Sequence, residues 1–351
     1  MPKYLKVSLI CTIALGLIVM VAGIYAWQYI NALSDVKLSS TKPIVVHVKA
    51  GESAPSIYRD LVDVSKKLDD YRFRAWLKLN PNMSQVKVGY YEFPVNTTVS
   101  DLFTRLSSGK ETQFSIALVE GQTIAQWLEL IRSQANLKQD IPDASSLYKI
   151  LVEDSSLDAS GSAGFCRNEL RTVEGCLLAD TYFYNYQDSA LSVIQRAYQA
   201  MKKTLEAAWQ SRYIDIPLNS PYEALILASI IEKETAVASE RGLIAGVFSN
   251  RLELNMRLQT DPTVIYGIGP EFDGNITRKH LRTTTPYNTY RIKGLPPTPI
   301  AMAGRESLNA AVMPQITDYL YFVAKGDGSH QFSTTLAQHN DAVAKYQLNR
   351  N

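Results

Sequence analysis

The stretch Ser220-Pro221-Tyr222-Glu223-Ala224-Leu225-Ile226-Leu227-Ala228-Ser229-Ile230-Ile231-Glu232-Lys233-Glu234 decides how the larger part of the chain folds. Ser220 can cap a helix, Pro221 fits its first turn, and Glu223 completes a capping box with Ser220. Ala224 to Ile231 is apolar almost all round. Such a run predicts a helix buried on every side, not an amphipathic surface helix. The helix ends in two acids. Glu232 lies three and four residues beyond Ser229 and Ala228, so it shares their face and is expected in apolar surroundings. Burial disfavours the ionised form of a carboxyl group, and an acid that keeps its proton near neutral pH can serve as a proton donor. Glu234 sits ~200° further round at ~100° per residue, so the two carboxylates are not expected to share one cleft. Taken alone, the segment fits equally a buried helix that ends at the surface in two solvated glutamates.

Downstream, Glu240 to Leu252 reads as a second helix with Leu243, Ile244, Val247, Phe248 and Leu252 on its buried side. Arg257 to Thr263 (RLQTDPT) is polar and contains a proline, which marks a loop or helix start near a cleft. Thr285 to Tyr290 (TPYNTY) is a polar-aromatic loop. Gly294 to Ile300 (GLPPTPI) is too rich in proline for regular structure and reads as a rigid extended segment. Tyr319 to Lys325 and His330 to Thr334 form a hairpin pattern around Gly326-Asp327-Gly328-Ser329. Upstream, a strand is expected at Phe114 to Val119 and a helix at Thr123 to Ala135. Residues 152–165 are rich in Ser, Gly and Asp and read as a mobile loop, and Tyr182 to Tyr186 is a dense aromatic patch.

The first part of the chain has a different grain. Residues 7–27 carry no charge, and about 20 apolar residues suffice to span a bilayer as a helix. Lys3 and Lys6 precede the run, so the positive-inside rule leaves the N-terminus in the cytoplasm and the rest of the chain outside. Trp27 and Tyr29 fit an interfacial aromatic belt. The rival reading is a cleaved signal peptide ending at Ala32-Leu33-Ser34, but the run exceeds the ~7–15 residues of an h-region. The organisation expected is therefore a cytoplasmic stub at 1–6, a membrane anchor at 7–29, a polar linker at 30–43, a small α+β module at 44–112 and a larger mixed α+β domain at 113–351. Within the module, strands are expected at Ile44 to Val48 and Gly89 to Phe93. Helices are expected at Ser56 to Leu68, Tyr71 to Leu79 and Val99 to Leu106.

Composition narrows the function classes. The 351 residues are 46% hydrophobic and 20% charged, with 36 Lys+Arg against 34 Asp+Glu. The net charge of +2 gives no support to a nucleic-acid partner, which calls for a basic excess. His47, His280, His330 and His339 show no metal-ligand spacing with each other or with the cysteines, so no metal and no cofactor are expected. Cys11 lies in the anchor. Cys166 and Cys176 are ten apart in a domain expected outside the cell, where either a disulfide or two separate thiols fit. No G-x-S-x-G elbow is present, so a serine hydrolase finds no support.

Four stretches taken in order resemble one family: residues 227–252 (LASIIEKETAVASERGLIAGVFSNRL), 256–269 (MRLQTDPTVIYGIG), 285–301 (TPYNTYRIKGLPPTPIA) and 319–340 (YLYFVAKGDGSHQFSTTLAQHN). They are similar to the MltG family of endolytic murein transglycosylases, over nearly the whole chain. The spacing from Glu232 to Asn250-Arg251 also resembles the spore cortex-lytic hydrolases, which implies Glu232 over Glu234 as the catalytic acid. The resemblance implies a LysM-like role in peptidoglycan contact for the 44–112 module. Where the family tends to have Glu-Gly-Trp, this chain has Glu174-Gly175-Cys176, which strengthens a Cys166–Cys176 bond and removes an indole that could stack on sugar.

The resemblance implies cleavage of the MurNAc–GlcNAc β-1,4 bond inside a glycan strand, with Glu232 acting first as acid and then as base and a 1,6-anhydro sugar as product. Gln259, Asp261, Tyr287, Asn288 and Tyr290 are the candidates for sugar binding. Asp261 has two other readings: a second carboxylate of a hydrolase, or a helix cap before Pro262. Implied partners are peptidoglycan strands, the membrane through the N-terminal helix, and peptidoglycan synthases beside which strand growth is terminated. The implied location is the bacterial inner membrane, with the catalytic domain periplasmic. The competing classes are a non-catalytic wall-binding scaffold and an exported chaperone-like domain.

Overall fold

The computed structural model describes residues 3–38, 41–62, 70–154, 165–235 and 237–348. The last part of the helix expected at 56–68 and most of the loop expected at 152–165 lie outside the described residues. The chain divides into two compact units, Met1–Phe114 and Ser115–Asn351.

The first unit opens with α1 (Lys3–Asn31). Its Val7–Asn31 stretch, which holds an 18-residue window of mean hydropathy 2.7, is long and apolar enough to cross a membrane. There follow β1 (Ile44–Val48), α2 (Ala54–Val62), α3 (Asp70–Leu79), β2 (Gly89–Phe93) and α4 (Val99–Ser108). β1 and β2 pair antiparallel, with Val46 opposite Tyr91 and Ile44 opposite Phe93. Period-two alternation sends Val46, Val48, Tyr91 and Phe93 to one face. Against that face lie Tyr58, Phe73, Trp76 and Phe103, with Tyr58 and Phe73 stacked at 3.8 Å between ring centroids. Residues 30–43, read as a linker, are held onto this unit where described. Leu33 and Leu38 are buried, Leu38 N–H donates to Thr97, and Val99 N–H donates to Val36. The apolar residues inside that polar stretch account for the difference.

The second unit runs β3 (Phe114–Leu118), α5 (Ile124–Arg132), α6 (Ala144–Tyr148), β4 (Asp180–Tyr184), α7 (Ala190–Gln210), α8 (Pro221–Glu234), α9 (Arg241–Glu253), α10 (Asp261–Ile268), α11 (Arg278–Arg282), α12 (Arg305–Val312), β5 (Tyr321–Ala324), β6 (His330–Ser333) and α13 (Leu336–Val343). β3 pairs with β4, and β5 with β6 as an antiparallel hairpin. The aromatic patch at 182–186 is largely strand β4. Tyr182 and Tyr184 point inward while Phe183 is exposed, so the patch is mostly core.

α8 is the axis of this unit. Every residue from Ala224 to Ile231 is buried, and α7, α9, α10 and α12 pack around it. Burying a side chain such as Leu or Ile contributes ~1.5–3 kcal/mol, so the apolar run explains why the element sits at the centre. Ser220 caps it by accepting from the Glu223 N–H. Glu223 reaches one residue further back than a capping box requires and accepts from the Asn219 N–H at 2.7 Å. α9 is fixed by its own Asn250-Arg251 pair. Asn250 Nδ2 donates to the carbonyls of Thr317 and Tyr319, and Arg251 Nε to that of Leu320. These bonds seat the chain entering β5 against α9. Cys166 and Cys176 are disulfide-bonded, with 6.0 Å between their Cα atoms.

The close approach of that same stretch before β5 makes Gly246 a steric requirement. A methyl group there would press on the Gln315 carbonyl oxygen and lie 2.8 Å from Thr317 Cγ2. Helix propensity alone makes Gly→Ala a gain of ~1 kcal/mol. We expect Gly246→Ala to destabilise instead, by about 1–3 kcal/mol, because the opposing atom is backbone. A lowered midpoint in thermal or urea melts checks this, and a raised midpoint contradicts it.

Candidate active site

Three residues at the end of the proline-rich segment are docked through their backbone, in succession, along α8 and the turn after β3. The Ile300 N–H donates to Ser229 Oγ at 3.0 Å, and the Ser229 hydroxyl donates to Ile226 O. Met302 exchanges hydrogen bonds with the turn that follows β3, accepting from Gly121 N–H and donating to Gln122 O, both at 2.8 Å. Gly304 N–H donates to Glu232 Oε2 at 2.9 Å. Ser229 and Glu232 are three residues apart and therefore share a helix face, as their spacing predicts.

Glu232 is nearly covered, with 7% of its side chain exposed, and Oε1 lies 4.0 Å from Arg241 Nη2 at the start of α9. Beside it is a cavity of about 360 Å³ lined by Glu120, Gly121, Glu232, Lys233, Glu234, Thr235 and Arg241. Lys233 Nζ donates to the Gly121 carbonyl at 3.0 Å, so both sides of the cavity mouth are tied together. Glu120 was not legible in the sequence as a site residue. Its one signal is a carboxylate beside a glycine at a strand-to-helix turn, a pattern too common to single it out.

Glu234 points elsewhere. Its carboxyl accepts from the Thr260 hydroxyl and borders a second cavity of about 530 Å³. The expected divergence of the two glutamates holds for their carboxyl groups. It does not hold for the cavities, because Glu234, as the last residue of α8, also borders the one beside Glu232. Burial pushes the Glu234 carboxyl up to about 7, with the charge of Asp261 adding to the rise and the Thr260 hydroxyl opposing it.

Of the residues singled out for sugar binding, Gln259, Asp261 and Tyr290 line this second cavity. The Tyr290 hydroxyl donates to Asp261 Oδ1 at 2.7 Å. Asp261 is the first residue of α10, one position beyond the cap that its alternative reading assigns to it. Thr260 holds that position. Gln259 takes φ 52°, a left-handed conformation that turns the chain into α10. Tyr287 and Asn288 do not line this cavity, although Asn288 Oδ1 accepts from the Tyr290 N–H at 3.0 Å. Tyr287 hydrogen-bonds Thr298 at 2.7 Å and packs on Tyr266 at 4.9 Å. Asn288 is buried, and its amide donates to the carbonyls of His280, Leu281 and Thr283, so it knits its own loop. His330 also borders the cavity and bonds through Nδ1 to Glu240 at 2.7 Å. Among the described residues no group of His, Cys, Asp and Glu is arranged to hold a metal ion.

Behind the site a third carboxyl is buried. Glu174 accepts from Ile124 N–H, at the start of α5, at 3.0 Å and from the Tyr266 hydroxyl at 3.3 Å. Its neighbour Gly175 takes φ 74° and sits against Pro299, where a methyl group would collide with the ring. Burial pushes Glu174 up to about 7 against the opposing effect of these hydrogen bonds. The Glu-Gly pair thus anchors both α5 and the proline-rich segment that carries Gly304.

The YceG-like family matches residues 46–345 of the chain. An endolytic murein transglycosylase of Bacillus subtilis is 31% identical over 327 residues, which cover 92% of this chain and 89% of that protein. An endolytic murein transglycosylase of Streptococcus pneumoniae is 25% identical over 354 residues, covering 92% of this chain and 62% of that longer protein. The crystal structure of a YceG-like protein from Listeria monocytogenes aligns with a TM-score of 0.53 at 31% identity, covering 86% of this chain and all of that one.

The buried Glu174 carboxyl gives a pH signature. Its folded value of about 7 lies above the unfolded 4.5, so the folded state binds more protons between those limits. Stability therefore falls as pH rises from about 4.5 to 7, by on the order of 2–3 kcal/mol for this group. Urea melts of the full chain in detergent at pH 5 and pH 7.5 measure the drop. Glu174→Gln is expected to reduce it, and an unchanged drop contradicts the assignment.

Proposed function

The chain belongs to the YceG-like family, and from that premise we propose that it is a lytic transglycosylase that cuts peptidoglycan glycan strands internally, with Glu232 as acid and base. The observation that carries this reading is the Glu232 carboxyl: one oxygen is held by Gly304 N–H, and the side chain borders a cavity wide enough for part of a sugar. Because Oε2 accepts that N–H, Oε1 is the atom left to exchange a proton with the substrate. It donates to the glycosidic oxygen as the C1–O bond breaks. The substrate's N-acetyl group stabilises the charge that develops at C1. The C6 hydroxyl of the same sugar then attacks C1, and its proton returns to the Glu232 carboxylate. The product is a 1,6-anhydroMurNAc end, and no water is consumed. Attack from within the same sugar replaces a bound nucleophile by proximity. Arg241 stands where it can offset the charge on Glu232 between the two transfers.

Gln259, Asp261 and Tyr290, around the second cavity, bind the neighbouring sugars in this reading. Tyr287 and Asn288 act indirectly, by shaping the loops. α1 anchors the enzyme in the inner membrane with Lys3 and Lys6 on the cytoplasmic side, so the catalytic unit works in the periplasm, where the Cys166–Cys176 bond persists. The strand–helix–helix–strand order of the 44–112 module, with its paired β1 and β2, supports a LysM-like peptidoglycan contact. An anchored enzyme of this kind would cut nascent strands beside a synthase and so terminate their growth.

A second reading rests on the second cavity. There Glu234 holds its proton to about 7 beside Asp261, which offers the carboxylate pair of a hydrolase. Mass spectrometry of glycan strands incubated with the full chain in detergent separates the two. We expect anhydro ends from the wild type, and a loss of rate of about 10²–10⁴-fold in Glu232→Gln. Reducing ends would favour the hydrolase. Undiminished cutting by Glu232→Gln would remove Glu232 from the chemistry. Strand binding without cutting by the wild type would favour a scaffold.

A further inference from the structure

Glu232 is not the only carboxylate aimed at its cavity. Glu120 lies in the turn between β3 and α5, and it is exposed. A methyl group placed on Gly304 would lie 3.3 Å from Glu232 Oε2 and 3.8 Å from Glu120 Cδ. Both carboxyl groups thus border the space that a side chain at position 304 would fill. Among the described residues Glu120 makes no hydrogen bond or ion pair. A free acceptor at the mouth of a site is available to a ligand.

The turn that carries Glu120 is not loose. Gly121 and Gln122 are bonded to Met302 on both sides, Gly121 O accepts from Lys233 Nζ, and Thr123 caps α5 through a reciprocal box with Gln126. Glu174 pins the next residue, Ile124. None of these bonds uses the Glu120 side chain, so it is positioned without itself contributing to the structure. The same Met302 that holds the turn lies two residues before Gly304, so Glu120 and Glu232 are set relative to each other through one short segment.

We propose that Glu120 is a second catalytic residue: its carboxylate accepts the N–H of the substrate's acetamido group and faces the positive charge that develops at C1 while Glu232 transfers the proton. This rests on the transglycosylase reading above. The chemistry of the substrate fits the position. An N-acetylated sugar brings an amide donor next to C1. An anion that receives it turns the amide oxygen toward C1 and gains interaction energy as charge builds there. Such an interaction is stronger in the transition state than in the ground state, so its loss appears in kcat. Glu120 neither donates nor removes a proton in this scheme, and the bonds made and broken are unchanged.

Kinetics of strand cutting by the full chain in detergent test this with Glu120→Gln and Glu120→Asp, alongside product mass spectra and thermal melts. Glu120→Gln keeps an acceptor oxygen and removes the charge. We expect its kcat to fall about 10–100-fold with KM within twofold of wild type, the melting midpoint unchanged, the same anhydro product, and partial recovery in Glu120→Asp. Glu120→Gln cutting as fast as wild type would overturn the proposal. So would a loss confined to KM, which would make Glu120 only a ground-state contact. Failure of the underlying reading shows in a different arm: the wild type itself would give reducing ends, or none.

Discussion

The hydrogen bond from Gly304 N–H to the Glu232 carboxylate is the constraint on which the site depends. It joins the end of a helix buried through its apolar run to the end of an extended segment that has no regular structure of its own. Without α8 the carboxyl has no fixed position, and without the 298–304 segment it loses its hydrogen-bond donor and keeps only the Arg241 guanidinium at 4.0 Å. The rest of the second unit supports these two pieces. Ser229 holds the segment one turn earlier on the helix, Met302 ties it to the turn after β3, and Pro299 rests on the space that Gly175 leaves open. The segment offers mainly backbone groups to these contacts, so the geometry fails when its backbone is displaced.

The two ends of α8 show how far the sequence speaks. The apolar run and the Ser220-Pro221 start are local signals, and both gave a central helix with its bounds nearly right. The hairpin around Gly326 and Gly328, and the strands at 44–48 and 89–93, were legible for the same reason: period and turn chemistry are written in adjacent residues. Glu232 was separated from Glu234 by resemblance and by helical phase, and the structure sends the two carboxyls to different partners. Partnerships between distant segments were not legible. Nothing near Glu174 announces that it binds the start of α5 fifty residues upstream, nothing near Glu120 announces Gly304, and nothing near Asn288 announces that its amide is consumed within its own loop. α7, which is not among the expected elements, has local helical patterning in Val193, Ile194, Ala197, Met201 and Leu205. The polar stretch 30–43 misled because a few apolar residues in it, Leu33 and Leu38, outweigh its overall character once a core is near.

Two cavities border the end of α8, and their chemistry differs. One holds exposed and ion-paired groups around Glu232; the other holds a buried acid, an aspartate and a tyrosine hydroxyl. The proposed function assigns cutting to the first and strand binding to the second. The most direct test is a crystal structure of Glu232→Gln with a bound peptidoglycan strand fragment. The account predicts a glycosidic oxygen within ~3 Å of the residue 232 side chain, with the adjacent sugar over Asp261 and Tyr290. A scissile oxygen lying instead between Glu234 and Asp261, away from residue 232, would contradict it.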